Sequence, residues 1–213
     1  MGASGLALVG FVIAHLLGNL LLYKSDGAAF NEYAHKLESL GGLLYVMEFG
    51  LLALILFHAF TGIRLALQAR CSTPVKYEVS QTKGGPSKWG FAANNMAITG
   101  SLILIFIILH VKHFKFGPGI AEGYVTQLSG GVESRDLQRH VVEQFKNPSI
   151  VALYTVVMLG LATHLRHGIW SAFQSLGLTR ENCTKKVYLV GGILGVILGI
   201  GFLSIPIFIY FCR

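Results

Sequence analysis

The chain contains few charged residues. Only 13% of its 213 residues are Asp, Glu, Lys or Arg and 53% are hydrophobic, whereas about a quarter of the residues of a soluble domain are charged. No polar stretch is long enough for a separate domain, because nearly every residue lies in an apolar run or in a short connector. This excludes a soluble enzyme, and we expect residues 1–213 to form a single transmembrane domain.

Cysteine motifs are also missing. Cys71, Cys183 and Cys212 form no CxxC or CxxCH, which argues against covalent haem attachment and against a zinc site. The first apolar run has no basic segment in front of it, so we expect it to stay in the mature protein rather than be cleaved as a signal peptide.

Five apolar runs are present, and each is long enough to cross a bilayer as a helix. They cover residues 5–23, 45–67, 92–111, 150–164 with its continuation, and 187–210, and we number them I to V. The predicted fold is an all-α membrane protein, a bundle of five transmembrane helices. Two connectors also predict short helices, one around Phe30 to Leu37 from its helical spacing and one over Leu137–Phe145 with His140 exposed.

The net charge of +7 comes from loops rather than from a polar domain, which argues against nucleic-acid binding. Lys and Arg accumulate in cytoplasmic loops of membrane proteins. The II–III and IV–V loops are the basic ones, so we expect both loops and the N-terminus to be cytoplasmic. Their charged residues are Arg70, Lys76, Lys83 and Lys88 against Glu78, and Arg180, Lys185 and Lys186 against Glu181.

Four of the five runs each contain one histidine that we expect to be embedded in the membrane: His15, His58, His110 and His164. Ionisable groups inside a span are rare and costly and indicate function. In runs II and IV the histidine is followed, after three residues, by Gly-Ile. Because residues four apart share a helix face, Gly62 and Gly168 are predicted to leave room beside His58 and His164.

The four histidines fall at two depths, judged from the nearest flanking charges. We call His15 and His110 the outer pair, and His58 and His164 the inner pair. A zinc site would gather its ligands at one depth, whereas paired imidazoles from different helices suit two bis-histidine haems. His113 and His167, one turn from His110 and His164, remain alternative ligands.

These motifs carry a family resemblance. The sequence resembles the five-helix, dihaem cytochrome b membrane anchor of bacterial succinate:quinone oxidoreductases, the succinate dehydrogenases and fumarate reductases. The order and spacing of six segments carry this resemblance over almost the whole chain: HLLGN, FNEYA, EFGLL, FHAFTGIRL, TGSLILIFIILH and HLRHGIWSAFQSLG.

The resemblance implies two b haems held by one histidine from each of the first four helices, which assigns His15, His58, His110 and His164. It implies a multi-pass protein of the bacterial cytoplasmic membrane, in the respiratory chain and the tricarboxylic acid cycle. A flavoprotein with FAD and an iron-sulfur subunit would dock on the cytoplasmic side and oxidise succinate. This chain would then pass electrons to menaquinone or ubiquinone without contacting succinate.

Polar residues near the inner pair are candidate contacts for haem propionates or quinone, or else helix-end residues that meet lipid headgroups: Arg64, Arg166, His167, Ser171 and Gln174. Run IV has no carboxylate between Pro148 and Arg180, which argues against a proton route through that helix. Two other functions stay open. One is a b-haem anchor for another dehydrogenase, such as a hydrogenase or formate dehydrogenase, and the other is a haem-free transporter with a histidine proton relay.

Overall fold

A computed structural model describes residues 1–24, 26–72, 92, 95–179 and 181–213, without the side chains of residues 181 and 182. The charged loop residues Lys76, Glu78, Lys83, Lys88 and Arg180 lie outside the described residues. The elements in chain order are α1 (Gly2–Asn19), a 3-10 turn (Leu20–Tyr23), α2 (Ala28–Glu38), α3 (Gly42–Cys71), α4 (Met96–Phe114), a 3-10 turn (Ile120–Glu122), β1 (Val125–Gln127), β2 (Glu133–Arg135), α5 (Leu137–Phe145), α6 (Pro148–Ser175) and α7 (Glu181–Cys212).

Five helices within the described part of the chain are long and apolar enough to cross a membrane, which confirms the predicted all-α bundle. They are Gly2–Tyr23, Gly42–Cys71, Met96–Phe114, Pro148–Ser175 and Cys183–Cys212. Their ends follow local sequence signals. In α6, the Asn147 side chain accepts a hydrogen bond from the Ser149 amide at 2.9 Å, and Pro148 occupies the first turn, where its missing N–H has no intrahelical partner to lose.

Helices α6 and α7 form the closest pair in the bundle. Glycines of α7 face α6, and a methyl group placed on Gly195 would lie 2.8 Å from the backbone nitrogen of Arg166. Small residues at a helix contact let two backbones approach within a membrane. Side chains of both helices then fill the core, including Val157, Ile169, Leu198 and Ile209.

Helix α3 is packed differently. None of its 30 residues, all of which the structure describes, is buried, although the helix contacts α1 and α4. His58 therefore lies on the most loosely packed span. Much of the apolar surface of α3 remains available to lipid or to a non-protein group.

Helix α2, the β1–β2 hairpin and α5 cover one end of the bundle, and we call these residues, 26–40 and 117–147, the cap. The antiparallel hairpin pairs Val125 with Arg135 and Gln127 with Glu133, and α5 packs against α4, α6 and α7. The prediction of a helix at Leu137–Phe145 is confirmed.

The expected exposure of His140 is wrong, because its side chain is only 2% exposed. Its Nε2 lies 2.8 Å from the carbonyl oxygen of His113, to which it donates, and the Tyr124 ring meets its edge. The face of α5 that holds His140, Val141 and Phe145 is buried, since it lies against the ends of the spans. The sequence of α5 alone does not reveal this tertiary contact.

A buried asparagine connects α2 to α5. Asn31 is 3% exposed, its Nδ2 donates to Asp136 Oδ1 at 2.9 Å, and its Oδ1 accepts from the Gln138 amide at 2.9 Å. Asp136 also caps α5 by accepting from the Arg139 amide. The start of α5 therefore depends on one side chain from another helix.

Replacing Asn31 with leucine should loosen the cap while leaving the spans intact. The change leaves the Gln138 amide without its acceptor, and a buried polar group that loses its partner costs about 1–3 kcal/mol. Hydrogen exchange of the α5 amides should accelerate by roughly tenfold, since every 1.4 kcal/mol corresponds to a factor of ten. Gln127→Ala, at an exposed amide of the same cap, is the matched control, and equal exchange in the two variants would contradict the role given to Asn31.

Candidate dihistidine sites

The four span histidines lie at two levels of the bundle, as their spacing predicts. At the cap end, the ring of His15 in α1 contacts the ring of His110 in α4. The opposite end holds the first turn of α1, and Met1 contacts Thr61 and Gly62 of α3 there. His58 belongs to this second level, because Ser4 and Gly5 of α1 border it. His164 belongs to it as well, because it is bordered by Thr99 and Gly100, which lie in the N-terminal part of α4 and away from His110.

The outer pair is a direct contact between two imidazoles. The ring centroids of His15 and His110 are 5.8 Å apart, and the ring planes are nearly perpendicular at 88°. Aromatic rings surround the pair: Phe11 stacks on His15 at 5.5 Å, Phe202 lies 5.8 Å from it, and Phe106 and Phe114 lie 5.6 and 5.4 Å from His110. The two imidazoles therefore lie in an apolar, aromatic environment.

Each imidazole of the outer pair has a polar neighbour. The Tyr154 hydroxyl lies 3.3 Å from His110 Nδ1, and this tyrosine is 5% exposed between the rings of Phe106 and Phe145. On α1, the Asn19 side chain donates to the His15 carbonyl at 2.7 Å and approaches the ring nitrogens at 3.4 and 3.5 Å. Tyr154 thus fixes the orientation of His110 from a third helix.

The inner pair is held by hydroxyl groups. His58 Nδ1 lies 3.2 Å from Ser4 Oγ of α1, and His164 Nδ1 lies 3.2 Å from Thr99 Oγ1 of α4. Ser4 and Thr99 lie in the first turns of α1 and α4. Both imidazoles are half-buried, so each is oriented through Nδ1 while its Nε2 is left for another partner.

The glycines that border these imidazoles belong to neighbouring helices. A methyl group on Gly5 would lie 3.4 Å from His58 Cε1, and one on Gly100 would lie 3.2 Å from His164 Cε1. The predicted glycines lie elsewhere: a methyl on Gly62 would lie 3.0 Å from Met1 Cε, and one on Gly168 would lie 3.9 Å from Met96 Cε. That Gly62 and Gly168 make room for a cofactor remains a prediction.

Sequence reasoning missed Ser4, Gly5, Thr99 and Gly100. Their signal was present, since α1 and α4 each carry a hydroxyl residue followed by glycine. Small residues of this kind are common in spans as packing residues, so the pattern by itself does not indicate a site. Ser4–Gly5 and Thr99–Gly100 lie beside histidines only because of how the helices are rotated and shifted against each other.

The other predicted contact residues are spread over the inner end of the bundle. Arg166 donates to the Tyr188 hydroxyl at 3.0 Å and lies 5.8 Å from the centre of that ring, so it packs against α7. Arg64 is exposed on α3, Gln174 is exposed on α6, and His167 and Ser171 are half-buried. The alternative ligand His113 lies at the end of α4, where its carbonyl contacts the cap.

A haem b is the group that the donor set fits. Two imidazoles bound to one iron at about 2 Å each, the usual length for an imidazole nitrogen on a metal, place their ring centroids roughly 6 Å apart. The 5.8 Å of the outer pair matches this separation. A ligating histidine usually has its other ring nitrogen hydrogen-bonded, as His58, His110 and His164 have here.

Sites with three or four protein ligands have no counterpart in the part of the chain that the structure describes. No group of three or more His, Cys, Asp or Glu side chains there is arranged to hold a metal ion. A pair of axial histidines needs no third protein ligand, because the porphyrin supplies the other four nitrogens.

Comparison with known proteins agrees with the motifs. No family model matches the chain, and no solved structure matches it. The chain is 27% identical over 179 residues to the succinate dehydrogenase cytochrome b558 subunit of Bacillus subtilis (strain 168), a match that covers 83% of this chain and 77% of the relative. This weak homology supports the family that the motifs indicate, and with it a membrane-anchor role in an oxidoreductase complex.

Proposed function

We propose that this chain is the membrane-anchor cytochrome b subunit of a succinate:quinone oxidoreductase. It binds two b haems and connects an iron-sulfur subunit to membrane quinone, menaquinone or ubiquinone. The observation that carries the proposal is the stacking of two histidine pairs at two levels of one bundle, with the outer rings 5.8 Å apart. The similarity to a cytochrome b558 subunit supports it independently.

The residues that would hold the two haems in this proposal are His15 with His110, and His58 with His164. When bound, each haem supplies a one-electron iron couple whose potential depends on its axial ligands and surroundings. The residues of the chain orient the imidazoles and exclude water. Phe11, Phe106 and Phe202 line the outer level with apolar rings.

The looseness of α3 supports a cofactor at the inner level. His58 lies on a helix without a buried residue, so the apolar surface of α3 is available to contact another group. A flat apolar group held between α3 and α6 would bury part of this surface. Because His58 and His164 belong to these two helices, they would bind it from opposite sides.

The same proposal implies partner subunits and a binding site for quinone. The basic cytoplasmic loops would dock the iron-sulfur subunit, which with the FAD-containing flavoprotein oxidises succinate in the cytoplasm. Arg64, His167, Ser171 and Gln174 remain the proposed contacts for a haem propionate or for quinone near the inner level. Arg166, which also donates one N–H group to the Tyr188 hydroxyl, is a proposed contact as well.

Succinate should reduce the b haem in native membranes that contain this chain. The measurement is an absorbance difference spectrum after succinate is added, with dithionite as the reference for full reduction. Malonate, which competes with succinate at the flavoprotein, should block the reduction and serves as the control. Haem that dithionite reduces but succinate does not would contradict the proposal, and reduction by hydrogen or formate would identify an anchor for another dehydrogenase.

A further inference from the structure

We propose that Ser4 and Thr99 are positioning residues that hold His58 and His164 in the Nδ1–H tautomer, so that both present an unprotonated Nε2 to the inner site. The tautomers are derived from the hydrogen bonds of this chain. Their consequence for haem rests on the proposed function.

The direction of each hydrogen bond follows from counting protons. A hydroxyl group has one proton to donate and two lone pairs that accept. Ser4 Oγ donates its proton to the Met1 carbonyl at 2.8 Å, a shorter contact than the 3.2 Å to His58 Nδ1. The oxygen therefore meets Nδ1 with a lone pair, and the proton between them belongs to the imidazole.

Thr99 repeats this arrangement on α4. Its Oγ1 lies 3.0 Å from the Asn95 carbonyl and 3.2 Å from the Met96 carbonyl, the back-bonding that Ser and Thr commonly form inside helices. Its proton is directed at these carbonyls, so His164 Nδ1 at 3.2 Å is again the donor. A neutral imidazole that is protonated on Nδ1 carries its lone pair on Nε2, the atom available to a metal.

The glycine after each hydroxyl residue borders the same imidazole. Gly5 and Gly100 lie directly against the Cε1 atoms of His58 and His164, and a methyl group there would approach to 3.4 and 3.2 Å. The two hydroxyl–glycine dipeptides, Ser4–Gly5 and Thr99–Gly100, therefore support the inner histidines in equivalent ways. The outer pair is supported by Tyr154 and Asn19 instead.

The tautomers can be measured directly by nitrogen NMR on the full-length chain labelled with ¹⁵N-histidine, in its haem-free form. Signals are assigned by their loss in His58→Gln and His164→Gln. We expect both histidines as the Nδ1–H form in the wild type, and Thr99→Val should shift His164 towards the Nε2–H form while His58 is unchanged. A wild-type His164 in the Nε2–H form, or no change in Thr99→Val, would overturn the inference.

The haem-loaded chain gives the second readout. Removing an outer-shell partner of a metal ligand typically weakens the site by about 10–100-fold, so Thr99→Val should release the inner haem at least about tenfold more readily. An imidazole whose Nδ1–H has lost its hydrogen-bond acceptor donates less electron density to iron. The ratio of reduced to oxidised inner haem at fixed potential should therefore rise by up to about tenfold, which corresponds to a shift of about 59 mV for one electron.

Two further variants distinguish a positioning role of Thr99 from a general effect of removing a hydroxyl group. Thr99→Ser keeps the acceptor and should restore the wild-type potential. Thr163→Val removes a hydroxyl that bonds the Gly160 carbonyl beside His164 and should leave the potential unchanged. If Thr99→Val and Thr163→Val behave alike, the positioning role is wrong, whereas a wild-type chain that binds no haem contradicts the proposed function instead and leaves the NMR test intact.

Discussion

His58→Ala and His164→Ala should each remove the same haem, so that each purified variant is expected to contain one b haem and the wild type two. The reason is that a bis-histidine haem loses half of its axial ligation with either change, while the outer pair is at the other level. Haem content by pyridine haemochrome and the redox titration of the remaining haem are the measurements. The double variant should lose no more haem than either single variant.

Controls for this experiment come from the other histidines of the chain. His35→Ala, on α2 of the cap, should keep both haems. His15→Ala and His110→Ala should remove the other haem and leave the one that His58 and His164 bind. The pairing by depth is wrong if His58→Ala and His15→Ala remove the same haem, and the choice of His164 is wrong if His167→Ala rather than His164→Ala removes a haem.

Gly195→Val should prevent α6 and α7 from packing and leave little folded protein. A Cβ at this position would lie 2.8 and 2.9 Å from the backbone nitrogen and Cα of Arg166, and backbone atoms cannot move aside as a flexible side chain can. Overpacking of this kind typically costs about 1–3 kcal/mol and occasionally more. Even Gly195→Ala should lower the thermal stability of the purified chain.

The neighbouring Gly192 provides the matched control. The nearest atom to a methyl group there is Arg166 Nε at 4.0 Å, which is ordinary van der Waals contact with the end of a side chain. Gly192→Ala should therefore fold and melt as the wild type does. Equal melting temperatures for Gly192→Ala and Gly195→Ala would show that the two backbones do not approach as closely as the structure has them.

The spans and the grouping of histidines were predictable from sequence because both depend on position along a helix. Apolar length sets where a span begins and ends, and the distance from a histidine to the nearest loop charge sets its depth. His15 and His110 were assigned to one level in this way, and their rings meet in the structure. The short helix Leu137–Phe145 was equally predictable from its local pattern.

The supporting contacts were not predictable, because they depend on the rotation of one helix against another. Gly62 shares a helix face with His58, yet the glycine nearest to that imidazole is Gly5 of α1. Arg166, two residues from His164, donates to Tyr188 of α7. His140 is buried by spans that are distant in sequence. Composition and spacing carry no information on such rotations.

The most direct test of the central claim is a reduced-minus-oxidised absorbance spectrum of the purified full-length chain, with haem counted per polypeptide. We expect the bands of b-type haem and two haems per chain, one for each histidine pair. A colourless protein would contradict this claim and would favour the transporter with a histidine proton relay.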